Sequence, residues 1–149
     1  MNSLNNASKK IFFKLIEIMY ESDCLEIENK PFLNLVLERM GRDIKTPHGT
    51  AEVYSLRHGY EQDEQLMILL EMFFIIVDNR KGDAMAWALV RIYPYKFHKT
   101  VSKIMQVGIP IENGWLCEYD KGLQEGQVKA AEKWLRDIER QGYLDEVPL

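Results

Sequence analysis

His58, Tyr60, Glu61 and Glu71 form the densest gathering of proton-transferring groups in the chain. If a hairpin closes between Gln62 and Gln65, the two glutamates approach each other across the ladder. His58 and Tyr60 then project from one sheet face. A histidine beside carboxylates can act as a general base, because the carboxylate fixes its tautomer and moves its pKa. The same residues also suit a plainer role, as half-buried sheet positions with bonded polar tips. No serine or cysteine lies beside them in sequence as an evident nucleophile. The plainer role is therefore the expectation, and no catalytic residue is assigned.

A second candidate is the stretch from Arg91 to Lys103. Arg91, Lys96, Lys99 and Lys103 recur there without one acid, interleaved with Tyr93, Tyr95 and Phe97. Cations neutralise phosphates and aromatic faces stack on unpaired bases, so Arg91, Tyr95, Lys96, Phe97, Lys99 and Lys103 suit contact with single-stranded nucleic acid. The ordinary alternative is a strand and its exit loop, with aromatics packed inward and lysines solvated.

Other chemistry finds less support. His48, His58 and His98 are the only histidines, and no two have the spacing of a zinc motif, so no metal is expected. No phosphate-cradling glycine loop or cofactor fingerprint occurs, and no cofactor is expected. Cys24 and Cys117 form no CxxC pair and have no neighbouring cation to stabilise a thiolate, which favours two plain thiols in a reducing cytoplasm. Met67, Met72, Met85 and Met105 read as core filler.

These residues need a scaffold, and the hydrophobic pattern supplies one. From Asn6 to about Glu21, Phe12, Leu15, Ile16 and Met19 recur at helical spacing, with Asn5 or Asn6 as the cap. After Pro31 the period changes to two, and Leu33, Leu35 and Leu37 alternate with polar residues as a strand does. The stretch from Gly41 to Gly49, containing Pro47, reads as a loop. Tyr54, Leu56, His58 and Tyr60 share one face of a second strand. The apolar run Met72 to Val77 reads as a central strand covered on both faces. Trp87 to Tyr93 is a fourth strand, ended by Pro94. Ile104 to Ile111 and Trp115 to Tyr119 flank Asn113-Gly114, a dipeptide suited to a type I′ hairpin turn. A closing helix begins after Asp120 with Val128, Ala131, Trp134 or Leu135, and Ile138 as its stripe. Gly142 is placed to end it in the left-handed conformation.

Bulk properties bound the function. With 149 residues, 46% hydrophobic and 28% charged, the chain reads as one globular domain over 1–149. A formal charge of −4 argues against a dedicated nucleic-acid binder but leaves room for a local basic patch. The N-terminus lacks the cationic and apolar regions of a secretory signal. No apolar run approaches the roughly 20 residues of a membrane span, so no membrane association is expected.

Leu56-Arg57-His58-Gly59-Tyr60-Glu61-Gln62, then Leu66-Met67 and Glu71-Met72-Phe73-Phe74, carry a resemblance. So do Trp134-Leu135-Arg136 and Gln141-Gly142-Tyr143-Leu144. The chain resembles a family of small, functionally uncharacterised bacterial and phage domains, the domain-of-unknown-function 6908 type. The resemblance implies an accessory protein of a plasmid, phage or other mobile element, and no known activity.

The expected fold is α+β: a mainly antiparallel sheet of about five strands, with the N-terminal and C-terminal helices packed on one face. The expected function is a non-enzymatic accessory protein that recognises a protein partner. Single-stranded nucleic-acid contact through 91–103 is the alternative, and a small hydrolase around His58 is third.

Overall fold

The computed structural model describes residues 1–99 and 103–145. The chain is α+β, with a helix near each end and a mostly antiparallel sheet between them. Helix α1 spans Asn6–Met19, and the Asn5 side chain accepts from Ser8 N at 2.8 Å to cap it. Strands β1 (Cys24–Ile27), β2 (Asn34–Thr46), β3 (Gly49–Gln62) and β4 (Gln65–Asp78) follow as an antiparallel succession. A short 3-10 turn, Trp87–Leu89, leads into β5 (Val90–Lys99) and β6 (Ile104–Val107). Then come the short β7 (Ile111–Glu112) and β8 (Trp115–Leu116). Helix α2, Lys121–Arg140, closes the fold, capped by the Asp120 carboxylate accepting from Leu123 N at 3.1 Å.

The sheet order is β6-β5-β4-β3-β2-β8-β7, with β1 paired separately to β2. Eight strands among the described residues replace the expected five or so, and one pair, β2 with β8, is parallel. The excess comes from short pieces: β1 has no counterpart in the sequence pattern, and the stretch expected as one strand over 104–111 divides into β6 and β7. A second correction concerns Gly41 to Gly49, expected as a loop. There β2 continues to Thr46, absorbing two irregularities in register on either side of Gly41, with Asp43 at φ 59°. Bulges let a strand bend without ending, so the glycine and the left-handed aspartate punctuate β2 without terminating it. Pro94 likewise does not end its strand. It sits inside β5, where the pairing slips between Phe73 and Phe74, a place that tolerates a missing N–H.

Both helices pack on one face of the sheet. Phe12 and Leu15 of α1, and Ala131, Leu135 and Ile138 of α2, meet Leu35, Leu37, Leu56, Met72, Phe74 and Ile92. Phe12 meets Phe74 edge-on with centroids 4.8 Å apart. Burying each of the larger side chains, Leu, Ile, Met or Phe, contributes about 1.5–3 kcal/mol, which is why this face organises the fold. The opposite face carries a smaller core of Ala51, Val53, Ile75, Val77 and Tyr93. Residues 108–116 fold over it as a strap, with buried Ile109 and half-buried Ile111 and Leu116. Asn113 and Gly114, at φ 53° and 77°, form the tight turn at the strap's tip. Met72 to Val77 is therefore covered on both sides, as its unbroken apolarity requires. Gly142 ends the α2 region at φ 87°.

Candidate functional site

The strap leaves part of the second face open, and a groove of about 500 Å³ lies there. Val53, Phe73 and Tyr95 line it from the sheet, Met40, Gly41 and Ile44 from β2, and Val107, Ile109 and Ile111 from β6 and the strap. Tyr95 fixes the strap's start by accepting backbone bonds from Gly108 N at 2.7 Å and Ile109 N at 3.3 Å. Met40 is 52% exposed and Val107 42%, so apolar surface continues from the groove onto its rim. Met105, expected as core filler, is instead 51% exposed on β6. Lys96 enters the groove with Nζ 4.8 Å from the Phe73 centroid.

Next to the groove the same face holds a network of charges. The Ser55 hydroxyl donates to Glu71 Oε2 at 2.6 Å, and Arg57 Nη1 donates to Glu38 Oε1 at 3.1 Å. Arg57 lies 3.7 Å from Glu71 Oε2, and His98 Nδ1 lies 4.0 Å from Glu71 Oε1. Glu71 and Arg57 side chains are only 13% and 14% exposed, so each needs the other's charge. Arg57 Nε is buried without a hydrogen-bond partner among the described residues, which leaves the network incomplete. Burial, with the Glu71 charge, pushes the Tyr95 phenol up to about 12. In this cluster the carboxylate sits between serine and histidine. A nucleophile-activating triad needs the histidine in that place, so the wiring does not make Ser55 a nucleophile.

Of the four residues singled out as a proton-transfer cluster, His58 and Glu71 lie on opposite faces of the sheet. His58 lies on the helix-covered face, its ring 5.2 Å from Trp134 and 5.5 Å from Tyr143. Burial lowers its pKa, and the 3.4 Å contact of Nδ1 with Asn34 O opposes that only in part. Glu71 is on the other face. The expected approach of Glu61 to Glu71 is also corrected, since Glu61 pairs with Leu66 and Glu71 with Arg57. The side chains of Tyr60 and Glu61 lie outside the described ones. Sequence reasoning missed Ser55 and Arg57 as partners of Glu71, and Glu38 as a partner of Arg57; the alternation of Ser55 and Arg57 along β3 was the available signal.

The basic-aromatic segment is split by the sheet. Arg91 pairs with Val77 and Lys99 with Leu70, at opposite ends of β5 and about 25 Å apart at strand rise. Tyr93 is fully buried. Phe97 packs against the helix-side core, while Tyr95 and Lys96 face the groove on the other side. Lys103, at φ 52°, opens β6. Residues 100–102 of the segment lie outside the described residues.

A further polar cluster lies beside α1. Arg39 donates to Asp23 Oδ1 at 2.6 Å, Glu52 Oε2 at 3.0 Å and the Tyr54 hydroxyl at 3.2 Å. Burial and the bond to Glu52 push the Tyr54 phenol up to about 12. Among the described residues no three His, Cys, Asp or Glu side chains are grouped to hold a metal ion. No described helix is long and apolar enough to cross a membrane.

A family model described as "Domain of unknown function (DUF6908)" matches residues 7–144, from α1 to the last turn. The chain belongs to that family. No curated protein and no solved structure matches it. For this DUF6908 domain, function has to be argued from its own surface.

Proposed function

We propose that the domain is a non-enzymatic accessory module of bacterial or mobile-element origin, which recognises a protein partner through the groove on its second sheet face. The observation that carries this reading is the continuity of the groove with exposed Met40 and Val107, both in its lining, while exposed Met105 lies two residues from Val107 along β6. Contiguous exposed apolar surface is uncommon on a free domain and marks docking sites. Methionines adapt their shape to a partner without strain, which suits a rim. The bacterial or mobile-element setting rests on the resemblance around Leu56 to Gln62. A cytoplasmic setting is supported by two free thiols, one of them the exposed Cys24.

The test is site-specific photo-crosslinking in the native host, with a benzophenone amino acid at position 40 or, as control, at exposed Tyr20, the C-cap of α1 and no part of the groove lining. A discrete adduct from position 40 alone is expected, and its second protein should rebind the purified domain. No adduct at 40, or the same adducts from both positions, would overturn the reading.

A further inference from the structure

β6 is the terminal strand of the sheet. Its four residues, Ile104, Met105, Gln106 and Val107, are all exposed and carry no charge. Among the described residues its only strand partner is β5, and no turn or loop backbone bonds to it. The contact from the helix layer is a side-chain one, Gln127 Nε2 donating to Gln106 O at 3.0 Å. An edge of this kind presents unpaired backbone groups to any extended segment that reaches it. Natural edges are commonly blunted by shortness, an inward-pointing charge, a proline or a bulge; β6 is short, at four residues, but has no charge, proline or bulge of its own.

The charges nearest this edge are mostly basic, with Glu112 of the strap as an acid lining the same groove as Val107 and Lys96. Residues 91–111 contain no aspartate or glutamate. His98 pairs with Met105, and Lys96 with Val107, on the groove side of the edge. Lys99, two positions on from Phe97, pairs with Ile104 on the helix side, and Lys103 immediately precedes β6. Among the described residues Lys96, Lys99 and Lys103 make no ion pair. The nearest acid on the neighbouring strand, Glu71, is engaged by Ser55 and Arg57. Cations therefore flank the open edge on both sheet faces while its middle is apolar.

We infer that the partner binds by adding an extended, antiparallel or parallel strand to β6, and that this strand alternates apolar with acidic residues. The inference rests on the protein-recognition reading above and names the partner's chemistry. Backbone hydrogen bonds to β6 supply affinity, and alternate side chains supply specificity. Side chains on the groove side meet Met105 and Val107, and carboxylates on the helix side meet Lys99, with Lys103 at the end of the edge. A basic edge of this kind speeds encounter with an acidic segment and rejects a basic one.

The experiment uses the full chain and a fluorescein-labelled peptide alternating valine and glutamate. Controls are the valine–lysine peptide, the valine–glutamate peptide N-methylated at alternate amides, and oligothymidine. The inference expects the first peptide to bind with salt-sensitive affinity, and the lysine and N-methylated peptides to bind about tenfold or more weakly. Lys99→Glu with Lys103→Glu, both exposed positions, should weaken binding about tenfold while leaving the thermal midpoint unchanged. Met105→Pro should abolish it; because proline can also loosen β6, the charge variant keeps the test decisive. Binding that ignores peptide charge or N-methylation, no binding, or salt-dependent binding of oligothymidine in its place would overturn the inference. A position-40 crosslink that persists in the Lys99→Glu, Lys103→Glu protein would leave groove recognition standing while removing strand addition.

Discussion

Glu71 lies opposite Arg57, and that one pairing places its carboxylate on the sheet face away from His58. The cause is a bulge in the β3–β4 hairpin. From Gln62 and Gln65 the pairs run regularly to Gly59 and Ile68, but His58 then pairs with Leu70, leaving Leu69 without a partner. Uninterrupted pairing would have set Glu71 across from Leu56, on the face that His58 shares. A one-residue slip exchanges the two faces of a strand. It sends Met72, Phe74 and Ile76 to the helix-side core and Glu71 to the open face.

The Glu71 carboxylate should matter for stability. Glu71→Ala leaves the Ser55 hydroxyl without its acceptor and the Arg57 guanidinium with Glu38 as its remaining carboxylate. Losing a hydrogen bond to a charged, largely buried group costs about 2 kcal/mol. Urea denaturation of wild type and variant would read this directly, and a change within error would show the network to be incidental.

His58 should make the fold sensitive to mild acid. Burial depresses its folded pKa below the ordinary 6.5, so the unfolded chain binds a proton that the folded chain resists. Its contribution is fully present above 6.5 and is lost as pH falls through the folded value. His58→Phe keeps an aromatic ring against Trp134 and Tyr143 and should lose less stability between about pH 7.5 and pH 5. His48 is present in both proteins, so the difference isolates His58. Equal pH slopes would contradict the assignment.

Gly108 should be intolerant of any side chain. A Cβ there would lie 2.5 Å from Gln127 Oε1 and 3.3 Å from Gln124 Cα, where the strap leaves β6 beneath α2. Gly108→Ala is expected to cost about 2 kcal/mol by overpacking. Adding Gln127→Ala should recover only part, because the α2 backbone remains in the way. Thermal unfolding of the single and double variants would measure both effects.

Single-stranded nucleic acid should bind weakly or not at all. The stacking surface that the sequence suggests is dismantled by burial of Tyr93 and by Phe97 packing on the helix side. Fluorescence anisotropy with oligothymidine across a salt series should show no specific, salt-dependent shift. A steep salt dependence would restore the nucleic-acid reading.

Much of the scaffold was legible because single residues dictate it. Asn5 and Asp120 cap the two helices, Asn113-Gly114 forms the positive-φ turn, and the unbroken Met72 to Val77 run is covered on both faces. The site was less legible, because it depends on register, which bulges alter without a local sequence mark. Leu69 looks no different from its neighbours, yet it decides which face Glu71 joins. Gly41 and Asp43 look like loop residues but bend a strand that continues to Thr46. Pro94 looks like a terminator but occupies a slip in pairing. Strap residues 108–116 are nonlocal in effect, since their composition says nothing about the face they cover.

Titration calorimetry of the crosslinked partner, once purified, against wild type and the Met40→Asp and Val107→Asp variants tests the groove most directly. Both side chains are substantially exposed, so the thermal midpoint should hold while affinity falls about tenfold or more in each variant. Unchanged affinity in both would contradict recognition through this face.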